Sequence, residues 1–473
     1  MSFDQVGISS VGVYIPIYRL STEVLRQIWG QGGASGERAV ANFDEDSITL
    51  AIEAGIDCLE GTEPDSIDAL YFASTTAPYR EKQSSSIIAA ALDMREDILT
   101  ADFTGSIRSG TIALRAAVDA VRAGSAKRAM VIAADCRIPP PNSTLEPVFG
   151  DGAVAFLIEN GEVAAELEGS YSVASEFLDI WRLEEDRITR TWEDRFIYQE
   201  GYFPNLKRAI SGLRTSCKLA LDDFAKLAFY APDARRHREM ARYLSLRAEQ
   251  IADPLFDRVG NTGTAFALMI FAGALEKAQP GERILLANYG DGADAYAFRV
   301  RDPVKAVKDK SPLKRKIESK LMLENYGKYI KFKKLMEFES TPDFRPRTSL
   351  PQLWRDRKWV YRFHGHRCKT CGKVQYPLQK VCIYCRSREL EEVRLSKRGT
   401  LFTFSIDERA PVIDPPNVLA AVRLEGGGRF FSEMTDRDVK SLRVGMEMEI
   451  TFRRIHDALG VHNYFWKCKP ARK

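Results

Sequence analysis

Short runs of consecutive apolar residues recur through the first 300 positions, separated by longer stretches in which apolar residues return every three or four positions. Residues 129–133 (Ala-Met-Val-Ile-Ala) and 283–287 (Arg-Ile-Leu-Leu-Ala) show no alternation, the pattern of strands buried on both faces. Strand-like and helix-like stretches therefore alternate, which predicts mainly parallel sheets covered by helices, an α/β domain.

The pattern occurs twice. Phe149-Gly150-Asp151-Gly152 is matched by Tyr289-Gly290-Asp291-Gly292, each between strand-like runs. Before each lies a Gly-Thr pair, Gly110-Thr111 and Gly263-Thr264, that opens an apolar helical stretch. Further upstream, the strand-like residues 70–73 have a counterpart at 227–230. A single Gly-Asp-Gly is an ordinary turn signal, but three correspondences in the same order predict a duplication.

Beyond Val300 the pattern changes. A Lys-rich segment, 305–334, has helical spacing and reads as a solvated helix face; a Pro-containing stretch, 341–351, reads as a connector. Strand-like segments follow at 400–406, 418–424, 429–433 and 446–453, punctuated by Gly399, the glycines 426–428 and Gly445, as a small barrel requires. The expected divisions are 1–165 and 166–335 for the two α/β halves, 336–353 for the connector, 354–395 for a cysteine-rich module and 396–473 for the barrel.

Composition adds little against this frame. The 473 residues are 45% hydrophobic and 28% charged with a formal net charge of +4, an ordinary globular balance that argues neither for nor against nucleic acid. The N-terminus lacks the succession of a secretory signal, and no apolar run of about 18 residues could span a bilayer. A cytoplasmic protein is expected.

Cysteine usage changes the picture more. Cys58, Cys136, Cys217 and Cys468 are scattered, whereas Cys368, Cys371, Cys382 and Cys385 form two CxxC pairs separated by ten residues. Four thiolates close a tetrahedron around zinc and leave no open position, so a structural zinc site is predicted. Gly372 after the first pair allows a tight turn that aims backbone amides at the sulfurs. With four thiolates available, His364 and His366 read as surface residues.

Residues 354 to the end, with Gly399-Thr-Leu-Phe-Thr-Phe404, Pro415-Pro416 and Val444-Gly445-Met446, resemble the zinc-ribbon and OB-fold family found beside thiolase-like enzymes. That resemblance implies a rubredoxin-like ribbon and an all-β OB barrel that holds an enzyme and its acyl-CoA. Phe402, Phe404, Phe430 and Phe431 are candidates for stacking bases, although barrel aromatics more often fill the core.

Residues 1–335 resemble HMG-CoA synthases and, more distantly, ketoacyl synthase III and thiolases. The likeness rests on Ala101-Asp-Phe-Thr104 with Gly110-Thr111, the loop at Phe149, Gly260-Asn261-Thr262, the stretch Pro280-Gly-Glu-Arg-Ile284 with the second Gly-Asp-Gly, and Tyr326-Gly-Lys-Tyr329. It implies a duplicated thiolase-like αβαβα fold, a coenzyme A thioester as substrate, and pairing into a homodimer or larger complex; a separate thiolase is a partner only on the scaffold reading below. The family's acyl-accepting cysteine falls on Ile107, its glutamate on Thr75 and its histidine on Tyr230. Ser106 beside Ile107 is a weak nucleophile without a base and reads better as a helix cap. His237, the one histidine before residue 364, reads as part of a solvated helix start, and Cys136 as a small buried core residue.

What survives is Asn261, which the resemblance implies polarises a thioester carbonyl, and Tyr230, an acid or base if nearby cations lower its pKa. Two readings stay open. One is a carbon–carbon bond enzyme, transferase or aldolase-type lyase, acting on acyl-CoA without a cysteine acyl-enzyme. The other is a non-catalytic scaffold that binds or channels acyl-CoA. RNA binding through the barrel and the Lys-rich segment is a weaker third, because it leaves the first 300 residues without a role.

Overall fold

The computed structural model describes residues 5–30, 35–302, 313–338 and 348–472. Residues 305–312 of the Lys-rich run and 341–347 of the Pro-containing stretch lie outside the described residues. The chain forms two compact units: Met1–Ala41, Asp46–Ala89 and Met94–Tyr326 make the first, and Asn42–Glu45, Ala90–Asp93 and Gly327–Lys473 the second.

The strands of the first unit are β1 (Val6–Tyr14), β2 (Tyr18–Ser21), β3 (Glu37–Val40), β4 (Ala69–Ala73), β5 (Leu99–Phe103), β6 (Arg128–Asp135), β7 (Gly152–Asn160), β8 (Ala165–Ala174), β9 (Ile180–Trp181), β10 (Arg190–Thr191), β11 (Lys226–Phe229), β12 (Arg283–Tyr289), β13 (Gly292–Val300) and β14 (Leu321–Met322). Its helices include α1 (Thr22–Trp29), α2 (Ser47–Cys58), α3 (Ser84–Ala91), α4 (Ser109–Arg122), the short turn α5 (Asp194–Phe196), α6 (Phe203–Cys217), α7 (Ala234–Tyr243) and α8 (Phe266–Lys277). Nine strands form one sheet in the order β11-β12-β13-β8-β1-β7-β6-β4-β5.

The duplication is written into that order. In the first half β4 and β6 are parallel, then β6–β7 and β7–β1 antiparallel. In the second, β11 and β12 are parallel, then β12–β13 and β13–β8 antiparallel. Edge strand β5 pairs parallel to β4, and its counterpart has shrunk to a single parallel bridge, Leu227 to Ile251. The sheet is thus mixed, not mainly parallel as the alternation predicted. The second Gly-Asp-Gly joins β12 directly to β13 as a hairpin, a short connection that only antiparallel neighbours can use.

Helix α2 covers β1, β6 and β7, and α6 covers β8, β12 and β13. Between the two half-sheets lie α4 and α8, which meet at Gly110, where a Cβ would stand 2.5 Å from the Thr264 carbonyl oxygen. Phe271 on α8 touches rings from both halves, Phe156 at 6.1 Å and Phe298 at 4.8 Å. Layering is therefore α2, half-sheet, α4 with α8, half-sheet, α6. Local signals agree: Asp46 caps α2 through the Ile48 and Thr49 amides with a reciprocal Thr49 contact, and Asp233 caps α7.

In the second unit, β15 (His364–Cys368), β16 (Val374–Gln375) and β17 (Leu390–Arg394) form the ribbon sheet, and β18 (Arg398–Asp407), β19 (Asn417–Leu424), β20 (Arg429–Glu433), β21 (Glu447–Ala458) and β22 (Val461–Pro470) the barrel. The barrel order is β20-β19-β18-β21-β22, and a parallel bridge from Met434 to Cys468 joins its ends. Phe363, before the ribbon, packs on Trp466 and Phe430 at 5.4 and 5.1 Å, so ribbon and barrel share one aromatic core. Of the four phenylalanines weighed for stacking, Phe430 is buried, while Phe402 and Phe431 are exposed. The segment Asn42–Glu45 carries acids of this unit's buried charge network: Arg453, with no exposure, bonds Glu45 and Asp436, and Lys467 bonds Asp44 at 3.0 Å.

The described part of the Lys-rich run is only partly the expected solvated face: Lys314, Lys320, Lys331 and Lys334 are exposed, while Lys316, Lys328 and Lys333 are engaged. Lys316 bonds Asp57 and the Val13 carbonyl within the first unit, and Lys328 pairs with Asp414 within the second. Lys333 is buried.

A test of the close strand packing compares two glycines. Gly292 has φ +113° with a Cβ position 1.9 Å from the Val173 carbonyl oxygen, whereas Gly281, at φ +89°, has open space. Gly292→Ala is expected to destabilise the first unit by about 2 kcal/mol or more and Gly281→Ala by about 1 kcal/mol, read from urea unfolding midpoints.

Candidate functional site

The buried polar centre of the first unit forms where β4, β6 and β11 end. Asp135, the last residue of β6, has no exposure. Its Oδ1 accepts the Ser74 hydroxyl (3.0 Å), the Thr75 amide (2.8 Å) and the Thr76 hydroxyl (2.9 Å); its Oδ2 accepts the Thr264 amide (2.8 Å) from the start of the α8 segment.

Asn261 is held by its backbone, donating to the Val148 carbonyl at 2.7 Å. Its Oδ1 accepts Arg137 Nη2 (2.8 Å) and the Gly263 amide (3.0 Å), which leaves Nδ2 facing Tyr230 Oη at 3.3 Å and the Ala231 carbonyl at 3.4 Å. Tyr230, just past β11, is 4% exposed, with Tyr202, Tyr289 and Phe266 around it at ring distances of 6.4, 6.2 and 6.0 Å.

Burial raises the Tyr230 phenol above its ordinary pKa, although Arg137 and the Asn261 bond pull the other way. The expected lowering by nearby cations is therefore overturned, because desolvation of the phenolate outweighs the guanidinium. Tyr230 is a neutral proton donor near pH 7. Asp179 differs: burial pushes its carboxyl up to about 6, Tyr289 beside it opposes that shift, and Asp291 adds to it. Asp179 also acts electrostatically on Tyr230.

Tyr230 and Asn261 are thus brought together, and Ser106 is not part of their contact. The Ser106 hydroxyl accepts the Arg108 amide at 3.3 Å ahead of α4, a cap-like bond, and it lies under Gly290, whose Cβ would stand 2.6 Å away. Ile107 is buried in the core and Thr75 Oγ1 is buried without a hydrogen-bond partner. His237 is not a solvated helix start: it is 3% exposed and stacks on Phe229 at 4.2 Å. Cys136 is only partly buried, its amide donating to Thr76 Oγ1 at 3.0 Å. Asp135, Arg137 and Asp179 were missed, although charged residues at the end of the uniformly apolar run 129–134 were a signal for the first two.

A cleft of about 610 Å³ opens beside this centre, lined by Trp29, Asn142, Val148, Arg235, Arg238 and Phe256 among others. Val148, in its wall, is the residue whose carbonyl holds the Asn261 amide.

In the second unit, the Sγ atoms of Cys368, Cys371, Cys382 and Cys385 all lie within 4.8 Å of one another, with Cys368–Cys385 at 3.5 Å and Cys371–Cys382 at 3.6 Å. Bonds of 2.3 Å to a tetrahedral zinc place sulfurs about 3.8 Å apart, so the residues fit that ion. The Cys371 amide, with that of Thr370, holds the Cys368 thiol down to about 6. Gly372 after the first pair and Arg386 after the second take the same left-handed turn, φ +70° and +66°. Among the described residues His364 and His366 are not in the cluster. Nor is His364 a free surface group: it bonds Asp93 at 2.8 Å and also Glu392.

Comparison with known proteins gives the family of each part of the chain. Residues 101–175 match the 3-oxoacyl-[acyl-carrier-protein] synthase III family, 360–391 the ChsH2 rubredoxin-like zinc ribbon domain and 392–453 the ChsH2 C-terminal OB-fold domain. The chain is 34% identical over 347 residues to the hydroxymethylglutaryl-CoA synthase of Methanopyrus kandleri, covering 71% of this chain and 99% of the relative. The chain belongs to the hydroxymethylglutaryl-CoA synthase family. The synthase of Pyrococcus horikoshii is also 34% identical, over 70% of this chain and 94% of its own. Among solved structures, MvaS in complex with 3-hydroxy-3-methylglutaryl coenzyme A has a TM-score of 0.63 at 20% identity, covering 73% of this chain and 95% of that one. Synthase III from Aquifex aeolicus has a TM-score of 0.57 at 18% identity, covering 62% and 99%. These structures share the fold of this family member. Among the described residues no helix is long and apolar enough to cross a membrane.

Two outcomes follow from these environments. Burial, with Arg238 adding, lowers the His237 pKa from 6.5 to about 4. The unfolded chain therefore binds the extra proton first. Stability is complete above pH 6.5 and falls by about 3 kcal/mol as pH drops to 4, and His237→Phe is expected to flatten that slope in denaturant titrations. Elemental analysis is expected to find one zinc per chain, lost in Cys382→Ser together with the ribbon's protection from hydrogen exchange.

Proposed function

We propose that the first unit binds an acyl-CoA and makes or breaks a carbon–carbon bond beside the thioester, by aldol-type or atypical Claisen chemistry, without a cysteine acyl-enzyme. The observation that carries this reading is the buried Tyr230–Asn261 pair, Oη to Nδ2 at 3.3 Å. On this reading Ile107, Thr75 and Tyr230 stand where the synthases have cysteine, glutamate and histidine. A side chain without a nucleophilic atom at Ile107 rules out acyl transfer to that position.

The chemistry then runs through hydrogen bonds and a neutral phenol. Asn261 Nδ2 polarises the thioester carbonyl and stabilises the enolate, a preorganised donor of the kind that acts without reorganisation. In the cleavage direction the β-hydroxyl proton passes to Asp179, the Cα–Cβ bond breaks, a carbonyl forms at Cβ, Tyr230 protonates the enolate carbon, and the proton on Asp179 returns to the Tyr230 phenolate. Addition is the reverse. Asp179, with its carboxyl at about 6 and in electrostatic contact with Tyr230, is the group assigned to take up the hydroxyl proton. In the cleft, Trp29 offers a ring face edge for the adenine, and Arg235 and Arg238 offer charge to the phosphates.

The same correspondence, taken as a loss of the family's usual groups, favours a second reading, a non-catalytic unit that holds acyl-CoA for a separate thiolase. Intact-protein mass after incubation with acetyl-CoA is expected to show no adduct, with Cys136→Ala as control; a stable adduct would restore the covalent route. Tyr230→Phe is expected to lower turnover at least about 100-fold while CoA affinity stays within about threefold. Bound acyl-CoA that neither wild type nor variant turns over would mean the scaffold.

A further inference from the structure

One face of the barrel sheet gathers rings and cations. Along β19 and β20, Ala421 stands opposite Phe431 and Arg423 opposite Arg429; towards β18 the same two β19 residues stand opposite Thr403 and Thr400. Residues two apart on a strand share a face, so Ala421 and Arg423 lie on one surface with Phe431 and Arg429. Phe402 is the extra residue where the β18 register shifts between Leu401 and Thr403. The guanidiniums of Arg429 and Arg423 lie over its ring at 4.1 and 5.3 Å, so the bulge turns Phe402 onto that surface too.

This surface is open. Phe402 is 37% and Phe431 66% exposed, whereas Phe430 between them in the barrel wall is buried. Arg423 and Arg429 are exposed, and among the described residues neither has a carboxylate partner. The acids of these strands are taken or stand apart: Glu433 pairs with Lys467 at 2.9 Å, Glu425 accepts the Ser396 hydroxyl at 3.4 Å, and Glu447 stands opposite Thr400 on the β21 side. Towards the ribbon the positive charge continues. A Cβ at Gly427 or Gly428, in the β19–β20 hairpin, would stand 3.3 or 3.5 Å from the Val374 side chain, and Lys373 beside Val374 is exposed. Residues 362–394 carry eight Lys or Arg against three Glu.

We propose that this face of the second unit binds a single strand of nucleic acid. Phe431 offers an open ring for one base, and the Arg429 guanidinium stacked on Phe402 offers a second flat platform, with only the Ala421 methyl between them. Arg423 and Lys373 then meet phosphates. An acidic peptide has use for the cations and none for the rings, and a duplex keeps its bases stacked on one another; a single strand uses both features. The proposal is independent of the acyl-CoA reading, which concerns the first unit.

Fluorescence anisotropy of a labelled oligouridylate of about 15 nucleotides with the full chain tests it. At about 50 mM salt wild type is expected to bind with a dissociation constant below about 10 μM. Phe431→Ala is expected to weaken that binding about fivefold or more, and Arg423→Gln to reduce the slope of log affinity against log salt by about 0.7. A thiouridine-substituted strand, photo-crosslinked to wild type, is expected to mark peptides from β18 or β20. Weaker binding than this by wild type overturns the proposal, and so does crosslinking confined to the first unit. Unchanged affinity in a Phe431→Ala chain that keeps its zinc also overturns it. Equal affinity for polyglutamate or for phosphatidylserine vesicles overturns it in favour of an acidic peptide or a lipid surface.

Discussion

One carboxylate ties the first unit together. Asp135 ends a central strand, and the donors it collects come from the loop after the neighbouring strand and from the backbone at the start of α8 in the other half of the duplication. A buried carboxylate is stable only when fully satisfied, so the strand ends and the helix start are fixed relative to it. Thr75 is placed by that requirement, while Asn261 is held by the Val148 carbonyl and Arg137 by Asn261. The loops and the helix start that meet at the centre are therefore held by satisfying one charge.

The duplication gives each half the same frame, and the copies diverge at the Gly-Asp-Gly loops and the buried polar centre. The first Gly-Asp-Gly buries Asp151 and uses it on the Ala41 amide, while the second leaves Asp291 exposed in a left-handed turn. Tyr230 and Asn261 come from the second half, whereas Arg137 and Thr75 come from the first. Neither half holds the set alone.

Much of this was legible in the sequence. The apolar runs at 129–133 and 283–287 fall inside β6 and β12, residues 418–424 and 429–433 are strands β19 and β20, and the four cysteines converge. These signals are local, set by burial on both faces or by ligand spacing. What stayed hidden depends on the partner across the fold. Pairing direction was set by a hairpin rather than by the alternation of elements. His237 sits in a run of arginines, yet the ring of Phe229 buries it. The acidity of Tyr230 turned on the balance of burial against Arg137, which no pattern along the chain expresses.

The two turns of the ribbon carry one last consequence. Gly372 adopts its left-handed turn freely, but Arg386 holds the same conformation with a side chain attached, at a cost of roughly 1–2 kcal/mol. The knuckles are thus unequal partners in assembly. The first is preorganised by its own backbone, while the second is a loaded spring that sulfur ligation has to hold shut.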